Sequence, residues 1–83
     1  VEICCLKELC FDENDPPIAC QCNVTVQVYL HLPCGGSCGF SNADGLFDDA
    51  DCRTPAPRGF YSDGVDVYYW DPPTLSLSYI GPC

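Results

Sequence analysis

Val24, Val26, Val28, Leu30 and Leu32 alternate with Thr25, Gln27, Tyr29 and His31. Period two sustained from Val24 to Leu32, in mostly β-branched and aromatic types, predicts a half-buried strand. Pro33 and the glycines of Cys34-Gly35-Gly36-Ser37-Cys38 end it. A second patterned stretch, Val65 to Ile80, predicts two strands around Asp71-Pro72-Pro73. A three-residue loop there puts Val65, Val67 and Tyr69 on one face with Leu75, Leu77 and Tyr79. Asp66, Tyr68, Trp70, Thr74, Ser76 and Ser78 then point outward. A two-residue loop at Pro72-Pro73 sets Asp66 beside Tyr79 and mixes the faces. The three-residue register is therefore expected, although such loops usually close on a left-handed residue and Pro73 cannot take positive φ.

The remaining segments are less regular. Val1 to Cys10 fits a helical face through Ile3, Leu6 and Leu9, or a strand through Val1, Ile3 and Cys5. The strand reading is preferred, because it sends adjacent Cys4 and Cys5 to opposite faces, where they can staple two layers. Asp12 to Pro17 is a turn cluster of acidic, Asn and Pro residues. Phe40 to Gly64 is rich in Asp, Pro and Gly and reads as a long loop. Cys52 is its expected staple.

Nine cysteines in 83 residues change the picture from a pattern to a scaffold. Cys4, Cys5, Cys10, Cys20, Cys22, Cys34 and Cys38 crowd the first half; Cys52 and Cys83 follow. This density marks an oxidising compartment and a disulfide framework. The expected fold is a small disulfide-rich, mainly β domain over 1–83, an antiparallel sheet with a long stapled loop and little or no helix. No apolar run is long enough to span a membrane. No basic-then-apolar leader is present, and Val1 is read as the start of a mature, secreted chain. An odd number of cysteines leaves one thiol over, with Cys83, Cys4 and Cys5 the candidates. That thiol is either buried or joins two copies in a disulfide-linked homodimer.

Charge narrows the partners. Twelve acidic residues against Lys7, Arg53 and Arg58 give a net charge of −9. Such a field repels nucleic-acid phosphates and anionic lipid surfaces and favours a protein with a basic surface.

Four constellations are candidates for chemistry. Asn42-Ala43-Asp44-Gly45-Leu46-Phe47-Asp48-Asp49-Ala50-Asp51 resembles part of an EF-hand loop and the aspartate-rich calcium repeats of thrombospondins. With Gly45 at the invariant glycine, the resemblance implies Asn42, Asp44, the Leu46 carbonyl, Asp48 and Asp51 as Ca²⁺ ligands. Phe40 stands at the first ligand position and departs from the pattern. The segment from Cys52 to Gly59 is proline-stiffened and holds Arg53 and Arg58, a candidate inhibitor loop for a trypsin-like pocket. Phe60, Tyr61, Tyr68, Tyr69 and Trp70 form an aromatic cluster. Outward-facing Tyr68 and Trp70, with Tyr61, Asp63 and Asp66, are the expected partner-binding surface. Asn23-Val24-Thr25 is a glycosylation sequon.

Catalysis draws little support. His31 is the single histidine, and oxidised cysteines supply no thiolate. The sequence therefore reads as a secreted, non-enzymatic binding protein of toxin, effector or salivary-inhibitor type, with no resident cofactor. Serine-protease inhibition through Arg53–Arg58 and calcium binding through Asn42–Asp51 are the alternatives.

Overall fold

The computed structural model describes residues 2–83; Val1, and with it the reading of the mature start, lies outside the described residues. Six strands form one curled antiparallel sheet: β1 (Ile3–Asp12), β2 (Thr25–Leu32), β3 (Gly45–Phe47), β4 (Gly59–Ser62), β5 (Asp66–Asp71) and β6 (Ser76–Pro82). Their spatial order is β3-β2-β1-β4-β5-β6. One short helix, α1 (Pro16–Cys20), and two 3-10 turns complete the elements among the described residues. The fold is thus small, disulfide-rich and mainly antiparallel β.

The strand expected from Val24 to Leu32 is present as β2, and the ambiguous opening segment is its partner β1. Val28, Leu30 and Leu32 are buried. Their neighbours across the ladder, Lys7, Cys5 and Ile3, share that face, as directly opposed residues must. At the other end of β1, Leu9 lies opposite Val26 and Phe11 opposite Tyr61, so the same face continues into β4 and β5. Phe40, Leu46, Phe47, Ala56, Tyr61 and Trp70 close the core over it. Two glycines permit the curl. A Cβ on Gly59, whose φ is 154°, would meet the Phe11 ring at 2.6 Å. One on Gly45 would meet the Phe47 ring at 2.9 Å and the Trp70 ring at 3.3 Å.

The opposite face carries α1. The Asp12 carboxylate accepts from the Asn14 and Asp15 backbone N–H groups, which turns the chain at the predicted Asp/Pro cluster. Pro16 and Pro17 then start the helix, where a missing N–H costs nothing. Ala19 is fully buried against the sheet.

The segment read as a loop from Phe40 to Gly64 holds two strands, β3 and β4. At three and four residues they are too short for alternation to register against the surrounding Asp, Pro and Gly. The hairpin register also differs from expectation. Tyr68 pairs with Tyr79, Trp70 with Leu77 and Asp71 with Ser76, across a four-residue connection. Leu75, at φ 51°, takes the left-handed position that Pro73 cannot. Leu77 and Tyr79 therefore share a face with Trp70 and Tyr68, which look toward the core, while Tyr69 looks away with Ser76 and Ser78.

Four disulfides pin this sheet: Cys4–Cys52, Cys5–Cys38, Cys10–Cys22 and Cys20–Cys83. Adjacent Cys4 and Cys5 bond to different loops, as their opposed directions on β1 require. The unpaired cysteine is Cys34, exposed in the turn after β2; Cys4, Cys5 and Cys83 are all bridged.

Candidate functional site

The structure divides the predicted aromatic surface in two. Trp70 does not face solvent; it is fully buried, and its indole N–H donates to the Ala56 carbonyl at 3.0 Å. Its ring meets that of Phe47 with centroids 5.9 Å apart. Tyr61 is buried too, and its hydroxyl donates to the Pro57 carbonyl at 2.6 Å. Burial, then the charge of Asp48, raises its pKa far above the usual phenol range. Both residues hold the fold together instead of meeting a partner.

Tyr68, Asp63 and Asp66 remain available, and the structure adds Tyr79. Tyr68 is half-buried, its ring between Phe40 at 4.3 Å and Tyr79 at 5.2 Å. Tyr79 is 55% exposed, and its hydroxyl donates to Asp66 Oδ1 at 3.1 Å. Asp63 Oδ1 accepts from the backbone N–H groups of Val65 and Asp66, both at 2.9 Å, fixing the turn into β5. Desolvation, then the charges of Asp66 and Asp63, raises the Tyr68 pKa. Desolvation, then the Asp66 hydrogen bond, does the same for Tyr79. Both stay neutral phenols beside two carboxylates, an arrangement suited to a Lys or Arg side chain, which is drawn to charge and ring face together. Tyr79 escaped the sequence reading because the shorter loop turned it away from Tyr68. The Tyr68–Tyr79 cross-strand aromatic pair was the signal favouring the longer one.

The acidic loop is organised by the fold. β3 runs through its centre, and the Leu46 carbonyl accepts from the Ala56 N–H at 3.0 Å. The Asp44 carboxylate bonds His31 Nδ1. Asn42 lies in a 3-10 turn, while Asp48 and Asp51 are exposed beyond the strand. Among the described residues no group of three acidic, His or Cys side chains is arranged to hold a metal ion. Asp49, outside the EF-hand-like ligand set, has a different task. Its carboxylate accepts from the Thr54 and Arg53 N–H groups, which lower its pKa and close the turn.

That turn governs the candidate inhibitor segment. Arg53 and Arg58 are exposed, but the backbone between them is tied down. Asp48 N–H donates to the Thr54 carbonyl at 2.8 Å, and Phe47 bridges Pro55. Cys52 sits at φ 54°, so the chain entering Arg53 is curled and not extended. Residues 54–56 thereby cover the outer edge of β3.

His31 is not a free solvated side chain. Nε2 lies 2.9 Å from Glu2 Oε2 and Nδ1 2.5 Å from Asp44 Oδ1. Only the imidazolium donates at both nitrogens. The Asp44 bond first, then the Glu2 bond, raises its pKa. Asn23 is exposed in the turn between α1 and β2. Comparison with protein-family models, curated proteins and solved structures gives no match.

Proposed function

We propose that this protein is a secreted, non-enzymatic binding protein that engages a basic surface on another extracellular protein. The observation carrying this reading is the Tyr68–Tyr79 pair beside Asp63 and Asp66. It sits on strands whose geometry is fixed before a partner arrives. Preorganised aromatics lose little entropy on binding and give large contact area. The net charge of −9 speeds encounter with a cationic partner and disfavours anionic ones. Four disulfides are typical of extracellular proteins, and no helix among the described residues is long and apolar enough to cross a membrane. His31 has both ring nitrogens committed to carboxylates, which supports binding over proton-transfer chemistry. Protease inhibition draws less support, since the Thr54 carbonyl and Ala56 N–H of the Arg53–Arg58 segment are already bonded to Asp48 and Leu46 and are not free to pair with a protease.

The test is retention of extracellular proteins on the immobilised chain, compared with a Tyr79→Ala/Asp66→Asn double variant. The reading expects a basic partner held by the first, released by moderate salt, and weakened at least tenfold on the second. A partner held equally by both proteins refutes it.

A further inference from the structure

The outer strand β6 differs from the rest of the molecule in charge and in pairing. Residues 72–83 contain no charged side chain, in a chain with 12 acidic ones. Among the described residues β6 pairs only with β5, and Ser76, Ser78, Tyr79, Ile80 and Pro82 are exposed along it. An exposed outer strand offers unpaired N–H and C=O groups to another chain, and natural sheets usually guard it with lysines, bulges or proline. Here Pro82 and a bulge guard one end alone. Val67 pairs with Gly81 and Tyr68 with Tyr79, which leaves Ile80 as the extra residue. Ser76 to Tyr79 stays regular.

Ile80 follows Ser76 and Ser78 onto one face by simple alternation, and the bulge keeps Gly81 there with it. On the α1 face Ile80 lines a groove of about 470 Å³ with Pro16, Pro17, Cys20, Val67 and Pro82. The groove and the open strand therefore meet at one place. An added strand would alternate its side chains across that edge, sending every second one toward the groove. Asp71 stands opposite Ser76 and Asp66 opposite Pro82, so a carboxylate flanks each end of the strip. A second copy of this chain would bring the same carboxylates and its own −9 charge to the contact. A segment with basic residues meets complementary charge instead.

We propose that β6 recognises its partner by strand addition. An extended segment of alternating apolar and basic residues pairs with Ser76–Tyr79, and one apolar side chain enters the groove beside Ile80. This rests on the basic-partner reading above and names its recognition mode.

The test titrates a capped alternating lysine–valine hexapeptide into the intact, oxidised protein. A second peptide of the same sequence carries an N-methyl group on every backbone nitrogen, which keeps the charge and side chains but removes the main-chain donors of both edges. Strand addition expects the methylated peptide to bind at least tenfold more weakly. It also expects slowed amide exchange confined to Ser76–Ile80 with the unmodified peptide, and roughly tenfold weaker binding to Ile80→Ser. Equal affinity of the two peptides overturns strand addition while leaving the Tyr79–Asp66 surface standing. Loss of binding on Asp66→Asn with no effect of methylation does the same. Self-association through β6 in the free protein, detected by sedimentation and abolished by Ser78→Lys, overturns it in favour of a second copy.

Discussion

β1 and β6 solve opposite problems with the same kind of backbone. β1 carries Cys4, Cys5 and Cys10, each bridged to a different loop, and pairs with a strand on each side. β6 has one neighbour and one bridge at its end, Cys20–Cys83. Its position depends on what β5 buries, above all Trp70 under the loop at Ala56. Covalent bonds hold the first region and packing holds the second. Local openings are easiest where paired edges and staples are fewest. The strand left open is also the one with exposed aromatic and apolar side chains, where a binding surface needs accessible main-chain groups.

The sharpest way to break this contrast is Trp70→Ala. Removing a fully buried indole should cost about 3–5 kcal/mol and loosen β5 and β6 first. Chemical denaturation gives the loss, and amide exchange its location. A stable variant with an unchanged exchange pattern would mean that Trp70 is not the anchor of this half. Next in size is removal of single bridges. Cys20→Ser/Cys83→Ser should lower stability by about 2–4 kcal/mol and raise exchange in β6 while sparing β1. Cys4→Ser/Cys52→Ser should do the reverse, releasing the turn before Arg53.

A smaller effect tests the far end of β2. His31 has a folded pKa raised above 6.5. Its contribution is therefore complete below the unfolded pKa and is lost as pH rises through the raised folded value. The melting temperature should fall modestly between pH 6 and pH 8, and His31→Gln should remove that slope. Both partner carboxylates are largely exposed, so the effect stays near or below about 1 kcal/mol. A slope that survives in the variant assigns the titration elsewhere. Cys34→Ser should change stability least, by under about 0.5 kcal/mol. Non-reducing mass measurement should find any disulfide-linked dimer in the parent and none in this variant. A dimer that persists would place the intermolecular bond at another cysteine.

Much of the frame was legible in the sequence because its signals are local. The alternation from Val24 to Leu32 depends only on the pleat of a strand, and β2 follows it. Cys4 and Cys5 diverge for the same reason. The candidate site was legible in part. Asp63, Asp66 and Tyr68 lie together at one edge, while Trp70 and Tyr61 are inside. The misplacement of Trp70 follows from the register of the β5–β6 hairpin, and that of Tyr61 from β4 reading as part of a loop. The longer connection sets Leu77 and Tyr79 beside Trp70 and Tyr68 instead of Val67 and Tyr69, and distant Phe47 and Ala56 choose which face of β5 is covered. Short β3 and β4 were hidden because neither holds a full alternating period of its own.

Composition and pattern alone determined a small, acidic, cysteine-stapled β scaffold, because charge, cysteine density and period two are properties of the chain itself. Tertiary structure decided which cysteine stays free, that His31 lies between Glu2 and Asp44, and which face of β5 is covered. Each depends on contacts between residues far apart in the chain. Such contacts are selected by the packing of the whole core around Trp70, and no local stretch of sequence encodes that.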